Sequence, residues 1–351
     1  MSTHSAVATV AKKARLGIIQ VPTATPVEQQ VRVRVEWTAS TPLDLHQNDG
    51  ALLVKHPQVL GDSVAGTVVE LGPDAKRLQV GDKVFGFTWR TQVEKAHQEF
   101  CTTDEWLLAK LPDGFTLAEA VTLPNNFVTV FHSFTADLAL EMPWPKNESY
   151  VPGNVDVPIL IWGGSSSVGQ FAIQILHYYG YRNILTTASR KHHEKLRNLG
   201  ATQVFDYNSA DVVACISNAG GDEGIPLIYD CIGSQSGSIA PIAKIAKPRS
   251  KVAILLPVIL RDSTETQDPE YEMDVGKVAE WSDGVDVRGV RTHFYLNPDI
   301  MPAMLKAGVV TPQKQRMIDG ATLLERAQNA MDMLRRKDVS MERLVWRVSE
   351  T

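Results

Sequence analysis

From residue 157 onward the chain alternates apolar runs with amphipathic stretches, and the joint between the first pair constrains the fold most. Val157-Pro158-Ile159-Leu160-Ile161-Trp162 is a continuous apolar run, the pattern of a strand buried on both faces. It drops into Gly163-Gly164-Ser165-Ser166-Ser167-Val168-Gly169 and then into a stretch of helical periodicity that ends at Gly180. Such a joint points free backbone N–H groups and the positive end of a helix at one spot. A pyrophosphate can lie against that backbone only where side chains are small, and Gly169 lets the helix approach the strand. Taken alone, the turn also fits a plain strand-to-helix connector, so its surroundings decide.

Those surroundings repeat the rhythm. A strand at 183–189, a helix at 191–199 closed by Gly200, and strands at 202–205, 226–231 and 251–256 follow in turn. Strand–helix alternation of this kind predicts a parallel, doubly wound sheet. Upstream the pattern differs. Residues 31–37 alternate strictly, and short β-rich pieces at 61–70, 81–87 and 99–101 are punctuated by glycine, which predicts a compact, barrel-like β domain. Residues 117–140 read as helical with a break at Pro124, and the tail returns to a helix at 323–337 and a strand at 343–348. The segments 141–156 and 261–274 read as loops, the second either a solvated surface or a cover over a site. The fold class is α/β in two domains.

Composition narrows the class of function. With 351 residues, 44% hydrophobic content and a net charge of −5, the chain can bury a large core and has no basic field for nucleic acid. No apolar run approaches the roughly 20 residues needed to span a bilayer. Residues 1–13 lack an apolar signal core, so a cytosolic protein with no membrane partner is the expectation. Cys101, Cys215 and Cys231 are scattered, with no CxxC pair, which argues against a disulfide framework or a four-cysteine zinc.

The second strand carries the next clue. An Asp or Glu at its end would hold the 2′-hydroxyl of NAD and repel a 2′-phosphate. Here the strand ends in Ser189-Arg190-Lys191-His192, a hydroxyl and two fixed cations, at about the spacing expected of one βαβ step. Cations at a helix start oppose its dipole, a local cost that an anionic ligand would offset. NADPH is therefore expected over NADH. Tyr207 follows the third strand as a candidate flank for the adenine or the 2′-phosphate, and Leu255 and Leu256 close a later strand at the carboxyl edge where ligands of such sheets collect.

In this order the motifs resemble the medium-chain dehydrogenase/reductase superfamily. Gly61-Asp62-Ser63-Val64-Ala65-Gly66, Gly81-Asp82-Lys83-Val84 and Leu123-Pro124 precede the glycine-serine turn, and the likeness covers nearly the whole chain. It implies a GroES-like catalytic domain at 1–125, completed by 298–351, and a Rossmann NADPH domain at 126–297. Gly163 to Gly169, with Gly164, Ser165, Ser166, Ser167 and Val168 between them, looks like the fungal trans-enoyl reductase branch, which is similar to zinc-free quinone oxidoreductases. Zinc members carry a Cys ligand after the first strands and a Gly-His-Glu motif. This chain has Thr41 to His46 and Gly61-Asp62-Ser63 in those places, so no metal is expected.

The resemblance also nominates side chains. Thr129, in the Leu-Pro…Thr helix, would approach the nicotinamide carboxamide or a substrate carbonyl. Pro42, Asp44 and Leu45 keep a segment that ends in lysine in the enoyl reductases, and His46 replaces that lysine. His46 could pass a proton or hydrogen-bond a ribose. Arg343 stands where relatives carry a lysine and would reach a cofactor phosphate.

The expected activity is metal-free hydride transfer from NADPH to the C=C bond of an α,β-unsaturated carbonyl, either free or tethered to a carrier or polyketide synthase, by a monomer or homodimer. An NADPH quinone oxidoreductase and a catalytically silent NADPH-binding protein are the alternatives.

Overall fold

The computed structural model describes residues 2–292 and 297–349, so residues 293–296, which fall in the expected Rossmann stretch, lie outside the described residues. The chain forms two units. One comprises 1–125, Ser263–Pro269 and 295–351; the other comprises Asn126–Asp262 and 270–294.

The second unit is an α/β sandwich around six parallel strands. In spatial order these are Gln203–Phe205, Ile184–Thr187, Ile159–Trp162, Leu227–Asp230, Lys251–Leu255 and Asp286–Val290. Numbered along the chain, that is 3-2-1-4-5-6, the Rossmann order. Ile159 to Trp162 and Leu227 to Asp230 are buried along their whole length because helices cover both faces, which is why they read as unbroken apolar runs. Strand order reverses between these two strands, so their carboxyl ends form the crevice where open α/β sheets take ligands.

The sixth strand corrects an expectation. The strands read from the sequence end at 251–256, yet Asp286–Val290 pairs with Lys251–Leu255 and is itself the edge. Its Asp286 and Arg288 are partly exposed and paired with each other, a surface chemistry that hides a strand from apolar-pattern reading. The segment 261–274 is also not a simple loop. Val258–Arg261 and Glu270–Glu272 form a two-stranded ladder, and the tip between them belongs to the first unit.

The first unit is β-rich. Its larger sheet runs Gln315–Met317, Arg343–Arg347, Gln30–Ser40, Ser63–Leu71, Lys83–Phe87, Leu108–Lys110, with Phe100–Asp104 also paired to Gln30–Ser40. A smaller sheet joins Gly17–Pro22, Thr3–Thr9 and Gln58–Val59. Alternate residues Val31, Val33 and Val35 enter one core with Val64, Val84, Leu108 and Trp346. The strict alternation at 31–37 is thus a half-buried strand, extended at both ends by residues that alternate less cleanly.

Candidate functional site

The glycine-serine turn sits at the crevice. Gly163 adopts a left-handed conformation (φ 90°), and its N–H donates to Thr187 Oγ1 at 2.9 Å while the Gly164 N–H donates to the Thr187 carbonyl at 2.9 Å. Strand two therefore clamps the turn leaving strand one. Ser166 caps the Ser167–Tyr179 helix, its Oγ accepting from the Gly169 N–H at 3.0 Å. A methyl on Gly169 would lie 2.4 Å from the Gly163 carbonyl oxygen, and one on Gly164 would lie 2.1 Å from Thr186 Oγ1. Ser165, Ser166 and Ser167 are half-buried and Val168 is buried behind them. A bare turn at a helix N-terminus, with no space for larger side chains, fits a dinucleotide pyrophosphate.

At the end of strand two, Ser189 Oγ and Tyr207 Oη are 3.0 Å apart. Tyr207 is 45% exposed. Arg190–His192 forms a single 3₁₀ turn, and the Arg190 side chain is 82% exposed and only 3.1 Å from Asp206. That surface pair is weakly held and leaves the guanidinium able to turn to another anion. Partial burial and the neighbouring Lys191, Lys195 and His193 charges hold His192 below its usual pKa. Leu255, at the end of the fifth strand, and Leu256 are half-buried at the same carboxyl edge.

Thr129 is buried in the Pro124–His132 helix, its Oγ1 3.3 Å from that of Thr292. Ser133 Oγ donates to the Thr129 carbonyl at 2.7 Å, and Tyr229 Oη lies 3.0 Å from Ser133 Oγ. Sequence reading missed Thr292 and Tyr229. One follows an unrecognised edge strand, and the other sits in an apolar run where a tyrosine reads as core.

The remaining candidates lie in the first unit. Pro42–Gly50 is a helix with Pro42 in its first turn, exposed; Leu45 is buried and His46 half-buried. Asp44 Oδ2 accepts from the Thr41 N–H at 2.8 Å and Oδ1 from the Gly61 N–H at 3.2 Å. Its carboxylate is thus a clamp between the helix start and the Gly61 turn. Arg343 is buried facing Asp44 and Asp62, together with Lys95 and His97. Burial raises the pKa of Asp44, and burial followed by the Asp44 charge raises that of Asp62. Burial lowers Lys95 and pushes His97 down to about 3, so His97 is neutral. This cluster draws on residues 44, 62, 95, 97 and 343, whose sequence distances conceal it.

Zinc does not fit these donors. Both Asp44 oxygens accept backbone N–H bonds, Asp62 accepts from Asn125 and Ser63, and burial raises the Cys101 thiol far above its usual pKa. Among the described residues no three His, Cys, Asp or Glu side chains are grouped to hold a metal. Nor, among them, is any helix long and apolar enough to cross a membrane.

A GroES-like β unit and a Rossmann unit with a glycine-serine phosphate turn, in one chain, define a two-domain, nucleotide-dependent dehydrogenase fold. Residues 27–133 match the alcohol dehydrogenase GroES-like domain, and residues 167–255 the zinc-binding dehydrogenase family. The second match falls in the nucleotide unit, away from the positions where zinc ligands stand in the resembling enzymes. A trans-enoyl reductase of Aspergillus japonicus is 31% identical over 333 residues, 92% of this chain and 90% of that protein. A dehydrogenase of Monascus ruber is 36% identical over 62% of each chain. The quinone oxidoreductase structure from Coxiella burnetii superposes with a TM-score of 0.76 at 21% identity, over 99% of this chain and 100% of that one. The chain belongs to the medium-chain dehydrogenase/reductase superfamily and is similar to its fungal trans-enoyl reductases. These are oxidoreductases whose Rossmann domain binds a nicotinamide cofactor.

Proposed function

We propose that this protein is an NADPH-dependent ene reductase acting on α,β-unsaturated carbonyls: enoyl thioesters, enals or enones. The observation that carries the reaction is the near full-length likeness to a trans-enoyl reductase. The Ser189–Tyr207 hydroxyl pair beside Arg190, Lys191 and His192 supports a 2′-phosphate and so NADPH. When bound, NADPH supplies a hydride to the β-carbon of the conjugated alkene.

This chain's residues do the rest. The turn Gly164, Ser165, Ser166, Ser167, Val168, Gly169 brings small side chains and the positive start of the Ser167–Tyr179 helix to the pyrophosphate. Leu255 and Leu256 line the carboxyl edge. Thr129 donates a hydrogen bond to the carbonyl oxygen where charge develops, which lowers the barrier without a Lewis acid. His46 serves as proton carrier or ribose partner, on a helix whose start is fixed by Pro42, Asp44 and Leu45, and Arg343, expected to reach a cofactor phosphate, is proposed instead to balance the buried Asp44 and Asp62 carboxylates.

The test is NADPH oxidation with a 2-alkenal, an enoyl thioester and a quinone in parallel, with product analysis. Saturated aldehyde or thioester is the expected product. Turnover of the quinone alone would replace the reading with a quinone oxidoreductase, and binding without any turnover would make the protein a silent NADPH binder.

A further inference from the structure

We propose that Asp230 is a positioning residue that shapes the turn 231–234 so that Ile232 forms a wall for the nicotinamide riboside half of the dinucleotide. The assignment rests on the NADPH reading given above. The fourth strand, Leu227–Asp230, lies beside the first, with Asp230 level with Trp162 where the strand order reverses. A dinucleotide lies across such a point. Its adenosine half is assigned to Ser189 and Tyr207, beyond the second and third strands, so its nicotinamide half falls on the side of the fourth and fifth.

Asp230 builds the turn from inside the protein. Its side chain is fully buried, and Oδ1 accepts from both the Ile232 and the Gly233 N–H groups, an Asx-type turn. Two successive N–H groups aimed at one point would otherwise form a nest for an anion. The protein's own carboxylate fills that nest, which leaves phosphate to the neighbouring glycine-serine turn. Oδ2 accepts from Ser238 Oγ in the π-helical turn Gln235–Ile239, and Ser238 Oγ accepts in turn from the Ser234 N–H at 3.0 Å. A carboxylate offers an acceptor on each side, where an amide offers one.

What the turn presents outward is Ile232. The Cys231 N–H donates to the Trp162 carbonyl at 3.0 Å, which ties the turn to the first strand. A methyl on Gly163 would lie 2.6 Å from Ile232 Cδ1, so the isoleucine fills space that the phosphate turn leaves by having no side chain there. Gly233 (φ 64°) passes under the Leu255 carbonyl oxygen, 2.5 Å from where a methyl would stand, and its own carbonyl accepts from the Ile259 N–H at 2.7 Å. Held at Cys231, Gly233 and Ser234, Ile232 is nonetheless 42% exposed. A lone exposed isoleucine is ordinary; one fixed beside a phosphate turn is a ready apolar surface for an uncharged dihydronicotinamide ring or its ribose.

Two probes separate the halves of the cofactor: NADPH, and adenosine 2′,5′-bisphosphate, which carries the adenosine half alone. Ile232→Ala and Asp230→Ala are each expected to weaken NADPH about tenfold and the bisphosphate less than about twofold in fluorescence and competition titrations. Asp230→Asn, which keeps the acceptor for both N–H groups, is expected to restore NADPH to within about threefold of wild type. Ser238→Ala leaves the carboxylate in place and carries the test where Asp230→Ala fails to fold, with a loss of about threefold confined to NADPH.

Equal losses for both probes would overturn the role, because Asp230 would then sustain the Rossmann unit as a whole. An Ile232→Ala protein that binds NADPH as wild type does would overturn it too. If wild type binds NADPH but reduces no unsaturated carbonyl, the reaction reading falls and the positioning role is still decided by the two probes. If wild type binds neither probe, the cofactor reading and this assignment fall together.

Discussion

Asp230 ends the central strand with no solvent exposure, and burial raises its pKa to about 6 against three hydrogen bonds that favour the anion. Those bonds come from Ser238 Oγ at 2.6 Å and from the Ile232 and Gly233 N–H groups at 2.9 and 3.2 Å. The folded value lies above the unfolded 3.8, so its stability contribution is complete below pH 3.8 and is lost as pH rises through about 6. The loss is on the order of 3 kcal/mol. Asp230→Asn keeps the acceptor for both N–H groups and should be at least as stable as wild type at pH 8, with that advantage gone below pH 4. Urea unfolding at both pH values checks this; a pH-independent difference would mean that Asp230 does not titrate. At the other end of the crevice, Arg190→Ala with Lys191→Ala should weaken NADPH roughly 10- to 100-fold and NADH hardly at all. Equal losses for both cofactors in fluorescence titrations would remove the 2′-phosphate assignment. These two cases bound what single residues disclose. Arg190 and Lys191 stand out in the sequence as fixed charge placed after a strand, whereas Asp230 depends on burial, which composition does not reveal.

At the scale of elements, the strand–turn–helix was the most legible part of the chain, because its glycines answer to steric limits that hold wherever such a turn occurs. Gly169 shows the limit directly: an added methyl would meet a backbone carbonyl oxygen, which has no side-chain rotation to relieve the clash. Gly169→Ala should therefore cost about 1–3 kcal/mol of stability and weaken NADPH binding. Gly153→Ala is the control, since a methyl there meets nothing within 4 Å. Thermal unfolding and NADPH titration of both variants measure the contrast, and native affinity in Gly169→Ala would mean that this turn does not hold the pyrophosphate. Other elements were hidden for physical reasons. The Pro42–Gly50 helix read only as a motif, since Asp44, Gln47, Asn48 and Asp49 are buried polar residues and leave no apolar stripe. The Asp286–Val290 edge strand and the short Gln315–Met317 strand carry charge outward, so neither gives a buried-strand pattern.

At the scale of the molecule, sequence order conceals how the first unit is completed, because one buried carboxylate gathers three distant stretches. Asp49, at the end of the Pro42–Gly50 helix, accepts from Arg335 Nε and Nη2 at 2.8 Å each, across to the Leu323–Arg335 helix. It also accepts from Ser263, in the segment Ser263–Pro269 that leaves the Rossmann stretch to join this unit. Burial works to raise the Asp49 pKa, but the bonds from Arg335, Ser263 and Asn48 outweigh it and hold the carboxyl below its usual value. Its contribution is therefore present above pH 3.8 and lost as pH falls through the depressed folded value. The exposed Lys12 and Lys13 pairs with Asp268 tie the same segment but should add little. Arg335 is only 13% exposed and would keep Asp332 as its one remaining carboxylate partner, so Asp49→Ala would leave a buried cation half-compensated and should cost about 1–3 kcal/mol. Combining it with Arg335→Met removes that half-compensated charge and should recover part of the loss, which separates a charge penalty from a packing defect. Unfolding followed by hydrogen exchange should place the Asp49→Ala loss in the first unit, in both helices and in Ser263–Pro269 together. Exchange that rises only around residue 49 would show that the three stretches are held independently, each by its own apolar contacts.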